Sequence, residues 1–257
     1  YKRYNFRSNV DMDISPKTTV SFGIQGNVSE NTEPAEGGSA SIYRDIINAA
    51  PNAFPVILKD GRLAGRDGLN NPYNMLTQRG YVKNISNALR ANLTVDQNLD
   101  FITEGLTAKL TYAYDYSTDA ADTRSRSINF FEPTGRDENG DLLATEWYAS
   151  SYQDYLNYSH SSSATRSQYA EATINYSRTF GKHDVGGLVM GFVKDNRYMI
   201  QGMDYITSLP KRSLGLAGRV TYGYDNRYLL EANVGFNGSE NFAKGNRMGI
   251  FLSLIHI

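Results

Sequence analysis

The sequence predicts an all-β chain: an antiparallel transmembrane β-barrel segment of about eight strands with long extracellular loops. Three observations predict it. Apolar side chains recur at every second position in segment after segment. Short turns alternate with long connections. Tyr and Phe gather near the ends of the alternating segments.

The first element carries Tyr4, Phe6, Val10, Met12 and Ile14 at even spacing, interrupted by Ser8. Ser15-Pro16-Lys17-Thr18 turns the chain, and Val20, Phe22, Ile24 and Val28 resume the alternation around Gly26. Each segment matches the about 9–11 residues that a tilted membrane strand needs. A long connection follows over 30–84. Within it Ile42–Ala49 reads as a short helix stopped before Pro51. Gly61, Gly65, Gly68, Asn70, Asn71 and Pro72 then read as breakers of regular structure.

Leu89, Ala91, Leu93 and Val95 open the second hairpin, and Leu106, Ala108, Leu110, Tyr112, Tyr114 and Tyr116 return it. After a connection over 117–167, Ala170, Ala172, Ile174, Tyr176 and Phe180 reach the turn Gly181-Lys182-His183-Asp184. Leu188, Met190 and Phe192 are expected on the same apolar face beyond it. A third connection, 194–213, leads to Leu214, Leu216, Val220, Tyr222 and Tyr224. The turn Asp225-Asn226-Arg227 follows, then Tyr228, Leu230, Ala232, Val234 and Phe236. The alternate positions are polar: Arg90, Asn92 and Thr94; Lys109 and Thr111; Glu171, Thr173 and Asn175; Glu231 and Asn233.

A soluble sandwich alternates in the same way. The connections separate the two readings. Loops this long are uncommon in compact soluble domains, whereas outer-membrane barrels pair short turns on one side with long loops outside. The aromatics at Tyr4 and Phe6, Tyr112–Tyr116, Phe180 and Tyr222–Tyr228 fit two interfacial girdles, although β-propensity alone also favours them.

Composition narrows function. The 257 residues carry 26 Lys+Arg against 27 Asp+Glu, a net charge of −1, which leaves no basic footprint for nucleic acid. Cysteine is absent, which excludes disulfides, thiolate zinc sites and cysteine nucleophiles. A mean hydropathy of −0.49 is compatible with a barrel whose lumen is polar. There are 19 Tyr and 11 Phe beside 1 Trp, and Tyr suits a membrane interface. The chain opens with Tyr1-Lys2-Arg3 running straight into a strand. An outer-membrane protein needs a secretory signal, so this reading requires a start that lies upstream.

Chemistry is sparse. His160 lies in a serine run and His183 in a turn, without a His-x-x-x-His or His-Glu pairing. No enzyme and no cofactor is implied. Asp137-Glu138-Asn139-Gly140-Asp141 resembles a calcium loop only superficially, because its glycine comes one place early and the closing Glu is missing. A turn at the tip of a hairpin inside the second loop is expected instead. Asn-x-Ser/Thr triplets at Asn27, Asn84, Asn92, Asn157, Asn175 and Asn237 read as chance, and Gly215 and Gly218 lie in a strand rather than in a nucleotide loop. Trp147, Tyr148, Tyr152, Tyr155 and Tyr158 form a candidate sugar-contacting surface, with packing among the loops as the alternative. No substrate-binding residue is assigned.

One segment carries a family resemblance. Tyr222–Asn233, followed by Phe236-Asn237-Gly238-Ser239-Glu240-Asn241-Phe242 and Gly245-Asn246-Arg247-Met248-Gly249-Ile250-Phe251, resembles the SusC/RagA family of TonB-dependent outer-membrane transporters. That family has Asp where Asn237 stands and Pro where Leu252 stands. Asn71–Leu76 and Gly105–Leu110 are similar to further family segments, and the likeness runs from residue 1 to about 251. The resemblance implies a barrel of about 22 strands closed by an N-terminal plug. It implies import of oligosaccharides or peptides across outer-membrane lipid. It also implies two partners, a SusD-like surface lipoprotein and the TonB complex, the latter acting through a plug not found in this chain. Residues 1–251 would then be barrel wall. Leu252–Ile257 match a translated sequencing adapter and are set aside as a scar, with a genuine ninth strand as the alternative.

Overall fold

The computed structural model describes residues 1–35, 38–66, 69, 71–148, 152–200 and 202–256. Nine strands join one sheet, in the order β1-β2-β3-β4-β7-β8-β9-β10-β11. They are β1 (Lys2–Ser15), β2 (Thr18–Pro34), β3 (Gly80–Asn98), β4 (Leu106–Ser125), β7 (Asn157–Phe180), β8 (His183–Ile200), β9 (Lys211–Tyr224), β10 (Tyr228–Ser239) and β11 (Met248–His256). Each strand pairs with the next one along the chain, as in an up-and-down meander, apart from one excursion. That excursion is a separate hairpin of β5 (Phe130–Arg136) and β6 (Leu142–Trp147).

The eight expected strands are present, but most run further than the alternation predicts. Strand β2 continues to Pro34, β3 begins at Gly80, β4 ends at Ser125, and β7 begins at Asn157. Apolar alternation marks only the middle stretch of these strands. Ladder hydrogen bonds carry the strands on into polar sequence, where neither face needs to be apolar. The loops are correspondingly shorter than 30–84, 117–167 and 194–213.

The turns follow from local chemistry. Between β9 and β10, Asp225 and Asn226 both take positive φ, 51° and 53°, and the Arg227 N–H donates to the Tyr224 carbonyl at 2.9 Å. Asp and Asn are the side chains that best tolerate this left-handed region. Between β1 and β2, the Lys17 N–H and the Thr18 hydroxyl both engage Ser15 Oγ.

Contacts divide the chain into two units. The wall unit comprises 4–28, 87–118 and 163–257, and the loop unit comprises 1–3, 29–86 and 119–162.

In the wall, register decides which side chains share a face. The row Ile174–Val189–Gly218–Val234–Leu252 is apolar. The adjacent row, Asn175–Leu188–Arg219–Asn233–Ser253, is mostly polar. This corrects one expectation. Leu188, Met190 and Phe192 stand on the polar face, while Val185, Val189 and Val193 join the apolar one. Strand β8 is apolar on both faces, so period two cannot choose between them. Pairing with β7 and β9 does. Phe192 is accommodated because it lies over Gly215, where an added Cβ would come within 2.2 Å of its ring. It also stacks on Tyr169 at 5.9 Å.

Strand β11 pairs in register with β10 through Leu230↔His256, so Leu252–His256 prolong the strand. An alternating segment beside an unpaired edge will pair whatever its origin.

The loop unit holds the conventional core. Helix α1 (Gly38–Asn48) overlaps the helix expected over Ile42–Ala49, beginning earlier and ending one residue sooner, and α2 (Pro72–Thr77) was not expected at all. Asn71 and Pro72 do not break structure; they start it. Asn71 Oδ1 accepts from the Tyr73 N–H at 3.0 Å as N-cap, and Pro72 opens the helix, where its missing N–H costs nothing. Gly68 and Asn70 lie outside the described residues. The Asn71 amide also donates to the carbonyls of Val56 at 2.8 Å and Ala64 at 2.7 Å, tying the loop around itself. Ile42, Leu58, Ala64, Met75 and Ile128 are buried here. The helix α3 (Tyr205–Ser208), capped by Asp204, lies in the connection between β8 and β9.

Candidate functional site

The polar face of the wall is a chain of local pairings. On β3 and β4, Lys109 Nζ lies 3.5 Å from Asp96 Oδ1. On β7, the Tyr169 hydroxyl and Thr173 Oγ1 both donate to the Glu171 carboxylate. On β9 and β10, Arg219 Nε reaches Asn233 Oδ1 at 2.8 Å and Glu231 Oε1 at 3.3 Å, and Asn233 Nδ2 donates to the same Glu231 oxygen at 2.8 Å. Glu171, Thr173, Lys109, Glu231 and Asn233 are legible as polar-face residues from period two. Arg219 is not, because β9 shows apolar residues at most neighbouring positions. Such a face presents donors and acceptors to water or solute, and charges neutralised in place keep it well hydrated without a strong single-sign field.

The apolar face is bounded by rings at the short-turn end. Phe180 pairs with His183, His183 with Tyr224, and Tyr224 with Tyr228. His183 Nδ1 meets the Tyr222 hydroxyl at 2.7 Å, and its ring packs against Tyr222 and Tyr224. This histidine is therefore part of an aromatic girdle.

In the loop unit most of the candidate aromatic surface is already committed. Trp147 stacks on Phe130 at 4.8 Å across the β5–β6 hairpin. Tyr152 donates to Asp154. Tyr158 donates to Asp122 at 2.8 Å beneath the Arg124 guanidinium. Tyr148 is 70% exposed but hydrogen-bonds Glu146, and Tyr155 is 66% exposed. His160 Nδ1 also meets Asp122, at 2.8 Å. The His160 hydrogen bond, then that of Tyr158, holds the Asp122 carboxyl below the usual carboxylate range. Asp122 in turn raises the Tyr158 phenol.

The Asp137–Asp141 segment is the β5–β6 turn. Asp137 Oδ1 accepts the N–H groups of Asn139 and Asp141, while Lys59 Nζ takes both Asp141 oxygens at 2.8 and 2.9 Å. Among the described residues no group of three acids or histidines is placed to hold a metal ion.

Comparison with known proteins gives these surfaces a context. No family model matches the chain. A TonB-dependent receptor of Formosa agariphila is 23% identical over 288 aligned residues, covering 98% of this chain and 24% of the relative. The solved RagAB peptide transporter superposes with a TM-score of 0.67 at 17% identity, covering 98% of this chain and 29% of that one. The RagAB peptide importer in its closed-closed state gives 0.62 with the same coverage. The sheet has the fold of the matching part of the solved RagAB structures. The chain spans about a quarter of the length of the curated relative. A barrel wall of this fold lies in the outer membrane, its apolar face toward lipid and its polar face toward the lumen.

Proposed function

We propose that residues 1–251 form part of the barrel wall of a TonB-dependent transporter that imports peptides or oligosaccharides with a SusD-like lipoprotein. One observation carries this reading. The sheet is apolar along Ile174–Val189–Gly218–Val234 and polar along the neighbouring Asn175–Arg219–Asn233 row. A wall between lipid and a wet lumen needs that two-sidedness, and the likeness to RagAB supports its use for peptide import. Leu252–Ile257 are proposed to be adapter-derived, which resequencing of the gene tests directly.

Spin labels at Leu110, Ile174 and Val234 in the full-length protein test the wall. Oxygen-rich lipid around all three is the expected result, and bulk water at any two removes the membrane reading. Uptake of labelled oligopeptides, compared with oligosaccharides, before and after collapse of the inner-membrane proton gradient tests the energised step. A non-energised porin continues to pass solute after collapse, whereas a TonB-dependent importer stops.

A further inference from the structure

The lipid-facing side of the wall carries charge where hydrocarbon should end. From His183 to Val193 strand β8 keeps to the apolar rows. That climb is roughly 33 Å at ~3.3 Å per residue, or about 25 Å along the membrane normal at a tilt of about 40°, the height of an outer-membrane apolar band. The next row outward on the same face is Gln168–Asp195–Arg212, and beyond it stands Arg166–Arg197. These rows lie toward the long-loop end, level with the outer-leaflet headgroups.

Three guanidiniums converge there on one carboxylate. Arg212 Nε is 2.9 Å from Asp195 Oδ2, Arg166 Nη2 is 3.6 Å from Oδ1, and Arg197 Nε is 3.9 Å from Oδ1. Glu240 approaches Arg212 at 4.0 Å. Arg247 lines the same groove and donates to the Phe242 carbonyl. Four arginines thus face two carboxylates. Arg166 Nε and Asp195 Oδ1 are both buried without a hydrogen-bond partner among the described residues. This groove, of about 440 Å³, is lined at one part by Asp195, Arg212 and Glu240 and at another by Tyr112, Ala170, Val193, Leu214 and Met248.

A surplus of like charge beside hydrocarbon is costly unless an anion joins it. Arginine forks match phosphate oxygens two at a time. We infer that Arg166, Arg197 and Arg212 bind the phosphate of an outer-leaflet lipid headgroup, with an acyl chain of that lipid lying in the apolar part of the groove. Asp195 lies between the guanidiniums and competes with the phosphate for their donors. This site lies on the opposite side of the wall from any import path, so its fate is independent of the transport reading.

Native mass spectrometry of the full-length protein in mild detergent tests the inference, titrating phosphatidic acid against diacylglycerol of identical chains. Wild type is expected to prefer the phosphorylated lipid at least tenfold. The combined Arg166→Gln, Arg197→Gln and Arg212→Gln variant should lose that preference, while Arg219→Gln on the lumen face should keep it. Equal binding of the two lipids, or a preference that survives the triple change, overturns the site. So does complete displacement of the lipid by equimolar inorganic phosphate, which would mark a free-anion site. If the triple variant fails to assemble, Asp195→Asn decides. It removes the competing carboxylate and should tighten phosphatidic acid, and unchanged or weaker binding overturns the proposal.

Discussion

The loop unit and the wall unit bury opposite things. In the loop unit Ile42, Leu58, Ala64, Met75 and Ile128 are buried, much as in a soluble protein. In the wall, among the described residues, only glycines are buried: Gly23, Gly215, Gly223 and Gly238. Its large apolar side chains stand open, with Leu216 at 54%, Val220 at 61% and Leu254 at 72% exposed. One chain therefore uses two solvents. Where the neighbours are water and protein, the hydrophobic effect folds side chains inward. Where the neighbour is lipid it gives no reason to do so, and backbone hydrogen bonding holds the structure. The same substitution should have different consequences in the two units.

The sharpest contrast is a deletion in the loop core. Met75 is 1% exposed. Met75→Ala should cost about 2–5 kcal/mol, the range for truncating a buried methionine. Limited proteolysis of the full-length protein should show new cleavage within 35–79, while the heat-modifiable gel shift of the wall is unchanged. Truncating exposed Leu216 to Ala should leave both readouts as they were. An equal response to the two changes would erase the distinction between the units.

A charge test runs in the reverse direction. Ile174 lies near the middle of the apolar band. Ile174→Arg should destabilise by about 2–4 kcal/mol, the cost of a cation at the lipid midplane. Thr173→Arg, one residue away, points beside Glu171 and should cost far less, because one step along a strand changes the face. Urea unfolding of the refolded full-length protein in detergent measures both. Similar penalties would mean that the faces are wrongly assigned.

A smaller effect is expected at Asn71, which has no counterpart in the wall. Asn71→Ala removes an N-cap and strands the carbonyl of buried Ala64, while that of Val56, an exposed residue, can turn to water, for about 1–3 kcal/mol. Asn71→Asp keeps the cap acceptor but sets a carboxylate oxygen against the Val56 and Ala64 carbonyls, so its protease sensitivity should at least equal that of the alanine variant.

The two units were also unequally legible. Period two placed all four wall hairpins to within a few residues at their short turns, because those turns carry their own chemistry, as at Asp225-Asn226. It failed at the far ends, where strands continue through polar sequence, and on β8, where Val-Gly-Gly-Leu-Val-Met-Gly-Phe-Val offers no polar face to read. In the loop unit, Asn71-Pro72 signals a turn and a helix start equally well, and the choice depends on carbonyls from Val56 and Ala64 that only the folded loop brings near. The arginine cluster was illegible for a related reason. Arg166, Arg197 and Arg212 come from three strands, and each alone reads as an ordinary polar interruption of an apolar face.

The mildest expected difference is in pH response. Asp122, Tyr158 and His160 meet in the loop unit, outside the apolar band. The Asp122 carboxyl is lowered, chiefly by the His160 hydrogen bond and then by that of Tyr158, so its contribution is present above its ordinary value of 3.8 and is lost as pH falls through the lowered one. The Tyr158 phenol is raised by the Asp122 hydrogen bond, so its contribution is present below its ordinary value of 10.0 and is lost as pH rises through the raised one. The Asp122–Tyr158 bond should hold across the neutral range and open at both extremes. Ultraviolet difference titration should place Tyr158 ionisation above that of a free phenol, and Asp122→Asn should bring it back toward 10.0. If the Asn variant titrates as wild type does, Asp122 is not the group acting on Tyr158, and this joint of the loop unit is no more tightly made than the open face of the wall.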